Sequence, residues 1–230
     1  MNGSEPGQRW AWAFGIATVL SAAVWYLGRA DTVALQRGTA AWFTVTGRAL
    51  PANTAFALTF IAFGVGPALL AQSVLGRSAL SLGLRLGDPR ELLKLLAIGA
   101  PIALLAAYVS FRSPAIVAVY PLGGQLAPDP GAFALHAGGY LLYYLGFEYL
   151  FRGFLLLGTK DHIGPVAANL LQACLVTAFH FGKPGLEMAA VLPASLLFGW
   201  ATLRTGSIWC ALALHWVVGV SLDWFLVFAR

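Results

Sequence analysis

Charge is what this chain has least of. Only 10% of its 230 residues are Asp, Glu, Lys or Arg, while 59% are hydrophobic; soluble domains carry roughly 25% charged and 45 to 50% apolar residues. That balance excludes an ordinary soluble domain and describes a polytopic membrane protein. Cysteine is nearly absent, and both residues, Cys174 and Cys210, lie inside apolar stretches where neither reads as a disulfide partner. There is no Ser/Pro-rich linker, composition break or fixed-period repeat, so residues 1–230 read as a single domain. A large basic soluble face is also missing. The net charge of +5 gathers in short loops, at Arg77, Arg85, Arg90 and Lys94, as membrane orientation and anionic lipid surfaces require. Lipid is therefore an expected partner and nucleic acid is not.

What is present is a series of apolar runs long enough to cross a ~30 Å hydrocarbon core at ~1.5 Å per residue. Seven are predicted, near 10–27, 53–75, 92–111, 133–157, 164–182, 187–203 and 207–228, and the stretch from Ala40 to Val45 suggests an eighth, short or interfacial helix. The expected fold is an all-α bundle of about seven to eight transmembrane helices. The first run follows Arg9 without an Ala-x-Ala-like site, which favours a retained helix over a cleaved signal. Asp88 and Pro89 form an N-cap and first-turn pattern. Residues 112–130, with Pro114, Pro121, Pro128 and Pro130 beside Gly123 and Gly124, predict an irregular segment at a membrane face or capping the bundle. A bias toward Ala, Leu, Gly and Arg points to a bacterial inner membrane.

Within these runs stands a short list of residues capable of chemistry: Glu148, Arg152, His180, His215 and Asp223. A charge near the bilayer centre costs roughly 2.5 to 3.5 kcal/mol on insertion scales, so each needs a partner or a purpose. Glu148 and Arg152, in YLLYYLGFEYLFRGFLLL, are four residues apart and share a helix face. That pairing suits either a structural ion pair or a reactive carboxylate. Two histidines on separate runs tip the balance, because three buried polar groups are most cheaply satisfied in one cavity. Such a cavity suits a hydrolase that activates water without a side-chain nucleophile. Glu148 would be its base, and the imidazoles would assist water and stabilise an oxyanion.

FEYLFRG, Phe147 to Gly153, resembles the Glu-Glu-x-x-x-Arg motif of the CPBP family, intramembrane glutamic proteases that include CAAX prenyl endopeptidases. His180 and His215 follow in that family's order, TGSIWCALALHW resembles the approach to its last histidine, and SLGLRLGD resembles a loop of bacterial members. The similarity is strong from about residue 133 onward, giving an expected catalytic core of about 133–228. It implies that Glu148 activates water with His180, that His215 supports the oxyanion and that Arg152 holds the glutamate. No cofactor or metal is implied, and the expected substrate is a membrane-associated protein or peptide. Three positions depart from the pattern: Tyr149 replaces the second glutamate, Val176 an aromatic, and Gly219 an Asn or Asp. Asp223, one turn on, is expected either to support His215 or to cap Lys183, although an ionised aspartate cannot donate as Asn does. HFGKPGLE, His180 to Glu187, resembles the myxosortase-like branch that processes C-terminal sorting signals. Its Lys183 and Glu187 suit either an interfacial salt bridge or a lip beside His180.

Other chemistries fit the same residues. Cys174 with Arg204 and His215 would resemble the thiol arrangement of exosortases, which needs a thiolate near positive charge. Glu148, His180 and His215 would serve as three zinc ligands with an open position. A transporter, scaffold or immunity protein on the same fold would use the charges as a relay or as packing.

Overall fold

The computed structural model describes residues 8, 10, 11, 15, 44–45, 48–49, 52–122 and 126–229. Seven helices are described from Ala52 onward: α1 (Ala52–Leu75), α2 (Pro89–Phe111), α3 (Pro114–Val117), α4 (Pro130–Ile163), α5 (Pro165–Phe179), α6 (Gly185–Thr205) and α7 (Trp209–Phe228). Five of them, α1, α2, α4, α6 and α7, are long and apolar enough to span a bilayer, and α5 is a shorter apolar helix. The fold is therefore the expected polytopic helical bundle. Of the predicted first crossing only Trp10, Ala11 and Gly15 are described; all three are helical. The suggested helix at Ala40 to Val45 is not formed where it is described. Thr44–Val45 instead pairs antiparallel with Arg48–Ala49.

The helix α4 is the axis of the bundle. Of its 18-residue apolar window 83% is buried, against 17 to 39% for the other spans. Its aromatic residues meet those of α1: Phe56 stacks on Tyr140 at 5.0 Å and Phe63 packs against Phe147 at 6.5 Å. The two helices approach closely because Gly146 carries no side chain. A Cβ there would lie 2.9 Å from the Phe60 Cα, the small-residue contact that membrane helices favour in the absence of a hydrophobic drive between them.

Both helices change winding in their middle. Residues Ile61–Val65 of α1 and Tyr149–Leu157 of α4 form π-helix, the latter beginning immediately after Glu148. Such segments are rare and cluster at functional sites. The helix α4 also runs six residues past the predicted 157, through the polar GTKDHI, and stops at Gly164 and Pro165.

The cap expected at Asp88 is formed, and a second stands at Asp129. The Asp88 side chain accepts from the Arg90 and Glu91 amides at the head of α2, and Asp129 accepts from Ala132 at the head of α4. The SLGLRLGD loop is tied to the α6–α7 turn. Ile208 N–H donates to the Gly83 carbonyl at 3.0 Å and the Trp209 indole to the Leu84 carbonyl at 3.0 Å. Gly83, at φ 96°, and Gly206, at φ 68°, allow these two tight turns. Two separate stretches of resemblance thus form one buttress that fixes the start of α7, two turns before His215.

Candidate active site

The site is assembled where α4 changes winding. Glu148 is wholly buried and Arg152, one turn on, is 1% exposed. Arg152 Nε lies 3.2 Å from Glu148 Oε2, an ion pair whose angle falls short of an aligned hydrogen bond. The guanidinium is held from other sides as well. Its Nη2 donates to Ser195 Oγ on α6 at 3.3 Å, and it lies over the Phe198 and Phe147 rings at 5.7 and 6.0 Å.

The second carboxylate oxygen meets α7. His215 Nδ1 is 2.6 Å from Glu148 Oε1. Because an ionised carboxylate only accepts, Nδ1 carries the proton and Nε2 is left unprotonated in the neutral ring. The Glu148 side chain is fully enclosed, while 23% of the His215 side chain is accessible. Glu148 therefore sits behind His215, and the imidazole forms the face of the site.

His180 arrives from the end of α5. Its Nδ1 is 2.7 Å from the Val176 carbonyl, so Nδ1 donates and Nε2 is again the free nitrogen. The bond uses the Val176 backbone, so replacing the aromatic at that position leaves the orientation of His180 intact. The Phe147 ring packs roughly perpendicular to both histidines, with centroids 6.2 Å from His180 and 5.7 Å from His215. Glu148 and His215 are thus in contact, and His180 faces them across a cleft.

The far wall of the cleft is polar. Tyr120 Oη donates to Glu187 Oε1 at 3.0 Å, Lys183 Nζ donates to Tyr120 Oη at 2.8 Å, and Lys183 lies 3.3 Å from Glu187. Glu187 Oε1 is 3.8 Å from His180 Nε2. Burial holds the Tyr120 hydroxyl well above the ordinary tyrosine range, so it remains protonated and donates. The Lys183–Glu187 pair accordingly belongs to the site wall beside His180. Tyr120 comes from the Pro-rich segment expected to be irregular, which folds inward and buries Ile116 and Leu122.

Two spaces adjoin these groups. A largely apolar cavity of about 430 Å³ lies between α2, α6 and α7, with Arg152, His180 and His215 on its inner wall and Ile102, Leu105 and Val109 at its rim. Those three rim residues are 63, 62 and 47% exposed, so the cavity opens toward the surface that faces lipid. A second, polar cleft of about 30 Å³ lies directly between His180 and His215.

Asp223 is elsewhere. The expectation that it orients His215 or caps Lys183 is corrected: its Oδ2 pairs at 2.8 Å with Nε2 of His136, both residues buried on facing sides of α4 and α7. His136 carries the same sequence signal as the five residues singled out above, an ionisable side chain in an apolar run. Tyr149 is also outside the cleft. It is 2% exposed and packs along the π-helical turn beside Gly153, and its hydroxyl has no partner among the described residues. The thiol arrangement is not assembled. Cys174 is exposed on α5, and Arg204 pairs with Glu91 at 2.7 Å. Among the described residues no group of three or more His, Cys, Asp and Glu side chains is placed to hold a metal ion.

A carboxylate clamped between a guanidinium and an imidazole that both line an apolar cavity, all within membrane-spanning helices, defines a polytopic membrane protein with an embedded polar centre. Residues 130–221 match the family model of the type II CAAX prenyl endopeptidase Rce1-like proteins. The CPBP resemblance is borne out over that segment, which contains every residue of the centre except Tyr120. It is a protease family, and the match supports peptidase activity. No curated protein and no solved structure matches the chain.

Proposed function

We propose that the protein is an intramembrane endopeptidase of a bacterial inner membrane that hydrolyses a peptide bond in a membrane-associated substrate with activated water. The observation that carries this reading is the Glu148–His215 contact at 2.6 Å, with its free imidazole nitrogen at a cleft that His180 closes from the other side. In sequence terms Glu148 was expected to touch the water itself. The geometry favours Glu148 acting through His215: the carboxylate orients Nδ1–H and stabilises the imidazolium, and Nε2 takes the proton. His180 Nε2 holds the water from the opposite side. The water oxygen bonds to the carbonyl carbon, and the carbonyl electrons move onto oxygen. The tetrahedral species then collapses as the C–N bond breaks and His215 returns its proton to the leaving amine. Arg152 pairs with Glu148 and fixes it without entering the reaction.

The apolar cavity supplies the substrate class. Its rim of exposed α2 residues admits a segment arriving from the bilayer, a lipid-anchored tail or a transmembrane sorting signal. The test uses the full chain in liposomes with two membrane-anchored fluorogenic peptides, one prenylated at a C-terminal cysteine and one ending in a sorting signal. Cleavage by the wild type and its loss per folded molecule in Glu148→Gln, His180→Ala and His215→Ala is the expected result. Cleavage by Glu148→Gln at the wild-type rate refutes the reading. Loss on Cys174→Ser replaces it with a thiol mechanism, and chelator inhibition reversed by zinc replaces it with a metal one.

A further inference from the structure

With His215 assigned to the proton, the cleft needs a donor for the oxygen that becomes negative. Tyr144 stands in that place. It lies on α4 one turn before Glu148, is 5% exposed, and its ring packs 4.2 Å from the His215 imidazole. It lines both the apolar cavity and the small polar cleft. Its hydroxyl rests over Gly219, one turn beyond His215 on α7. A Cβ at position 219 would strike that oxygen and come within 2.9 Å of Tyr140 Cε1 and 3.0 Å of Tyr144 Cε2. The missing side chain at 219 is therefore the room that the Tyr144 hydroxyl occupies. The Tyr140 ring lies beside that of Tyr144, with 4.4 Å between ring centroids. A phenol has one proton to give, and Tyr144 lines the cleft that would receive it.

We propose that Tyr144 is a catalytic residue whose O–H donates to the carbonyl oxygen of the scissile bond and stabilises the oxyanion of the tetrahedral intermediate. This rests on the hydrolase reading above. The proton stays on Tyr144 throughout: it strengthens one hydrogen bond as charge moves onto the substrate oxygen and relaxes as the C–N bond breaks. Gly219 contributes by leaving the hydroxyl its place, so the pair acts as one unit across α4 and α7.

Tyr144→Phe keeps the ring against His215 and removes only the donor. In liposomes, with a peptide that the wild type cleaves, this variant should lose about 10²-fold in kcat, the size typical of one oxyanion donor. KM, the pH profile and the melting midpoint should stay at wild-type values. Gly219→Ala, which pushes the hydroxyl aside, should lower kcat in the same direction. A peptide phosphonate, whose anionic tetrahedral centre mimics the intermediate, should bind Tyr144→Phe more weakly by a similar factor while the parent peptide binds equally to both. Wild-type kcat in Tyr144→Phe overturns the proposal and leaves the hydrolase reading standing. A shifted pH profile or a rise in KM alone also overturns it, since either assigns Tyr144 to positioning His215 or substrate. Undiminished cleavage by Glu148→Gln removes the hydrolase reading and this inference with it.

Discussion

The helices α4 and α7 are joined by two carboxylate–imidazole pairs with the partners exchanged. At one level α4 supplies Glu148 and α7 supplies His215, 2.6 Å apart; at the other α4 supplies His136 and α7 supplies Asp223, 2.8 Å apart. The chemistry is the same and the surroundings are not. The His136 and Asp223 side chains are 5 and 0% accessible and line neither of the two spaces described above, whereas His215 is 23% accessible and lines both. Phe56, Phe133 and Tyr140 close over His136, while the polar cleft opens beside His215. A buried carboxylate and imidazole thus hold helices together when sealed and can handle protons when one nitrogen reaches a space that admits water.

That contrast is sharpest at the two carboxylates. Glu148→Gln should cost about 10³-fold in kcat per folded molecule, within the range for loss of a general-base system, and stability as well, because Arg152 is left buried without its counter-charge; steady-state cleavage in liposomes measures the first and unfolding the second. Asp223→Ala should cost stability alone. Leaving the buried His136 nitrogen without its hydrogen-bond partner costs about 1 to 3 kcal/mol, which detergent-titrated unfolding reads, while kcat per folded molecule stays near wild type. If Asp223→Ala abolished turnover in a protein of normal stability, the two pairs would not differ as described. Ser195→Ala, which removes the aligned partner of Arg152, should lower stability by about 1.5 kcal/mol as a lost hydrogen bond to a charged group, with a smaller effect on kcat than Glu148→Gln. The smallest effect is expected at the edge of the bundle. Arg204→Ala breaks an exposed pair with Glu91 and should leave both melting midpoint and turnover unchanged.

The sequence made one pair legible and hid the other for the same physical reason. Glu148, Arg152 and His215 were readable because an ionisable group in an apolar run demands a partner, and only a few existed. His136 satisfies that criterion equally, and its omission left Asp223 without its true partner and forced it toward His215 or Lys183. The helical spans were legible from apolar length, yet the end of α4 was not: GTKDHI is polar enough to leave the membrane and still helical, so hydropathy and helix ended at different residues. Tyr120 was beyond reach of local reasoning, because only the path of the chain brings a residue from a Pro-rich segment against Lys183 and Glu187. The hydrogen bond of His180 to the Val176 carbonyl depends on backbone, so it carries no signature in residue type.

The π-helical stretch from Tyr149 to Leu157 works as a phase setting. An α-helix advances about 100° per residue, and a π turn holds surplus chain within the same rise. Deleting one residue between Glu148 and Arg152 would turn the guanidinium by roughly that angle relative to the carboxylate, while the π turn can give up its surplus residue and leave the rest of α4 in phase. The ion pair would then be re-aimed without altering either of its side chains. Insertions and deletions within 149–151 should therefore be less tolerated than those within 153–157, and the spacing between glutamate and arginine is itself a heritable trait of the site.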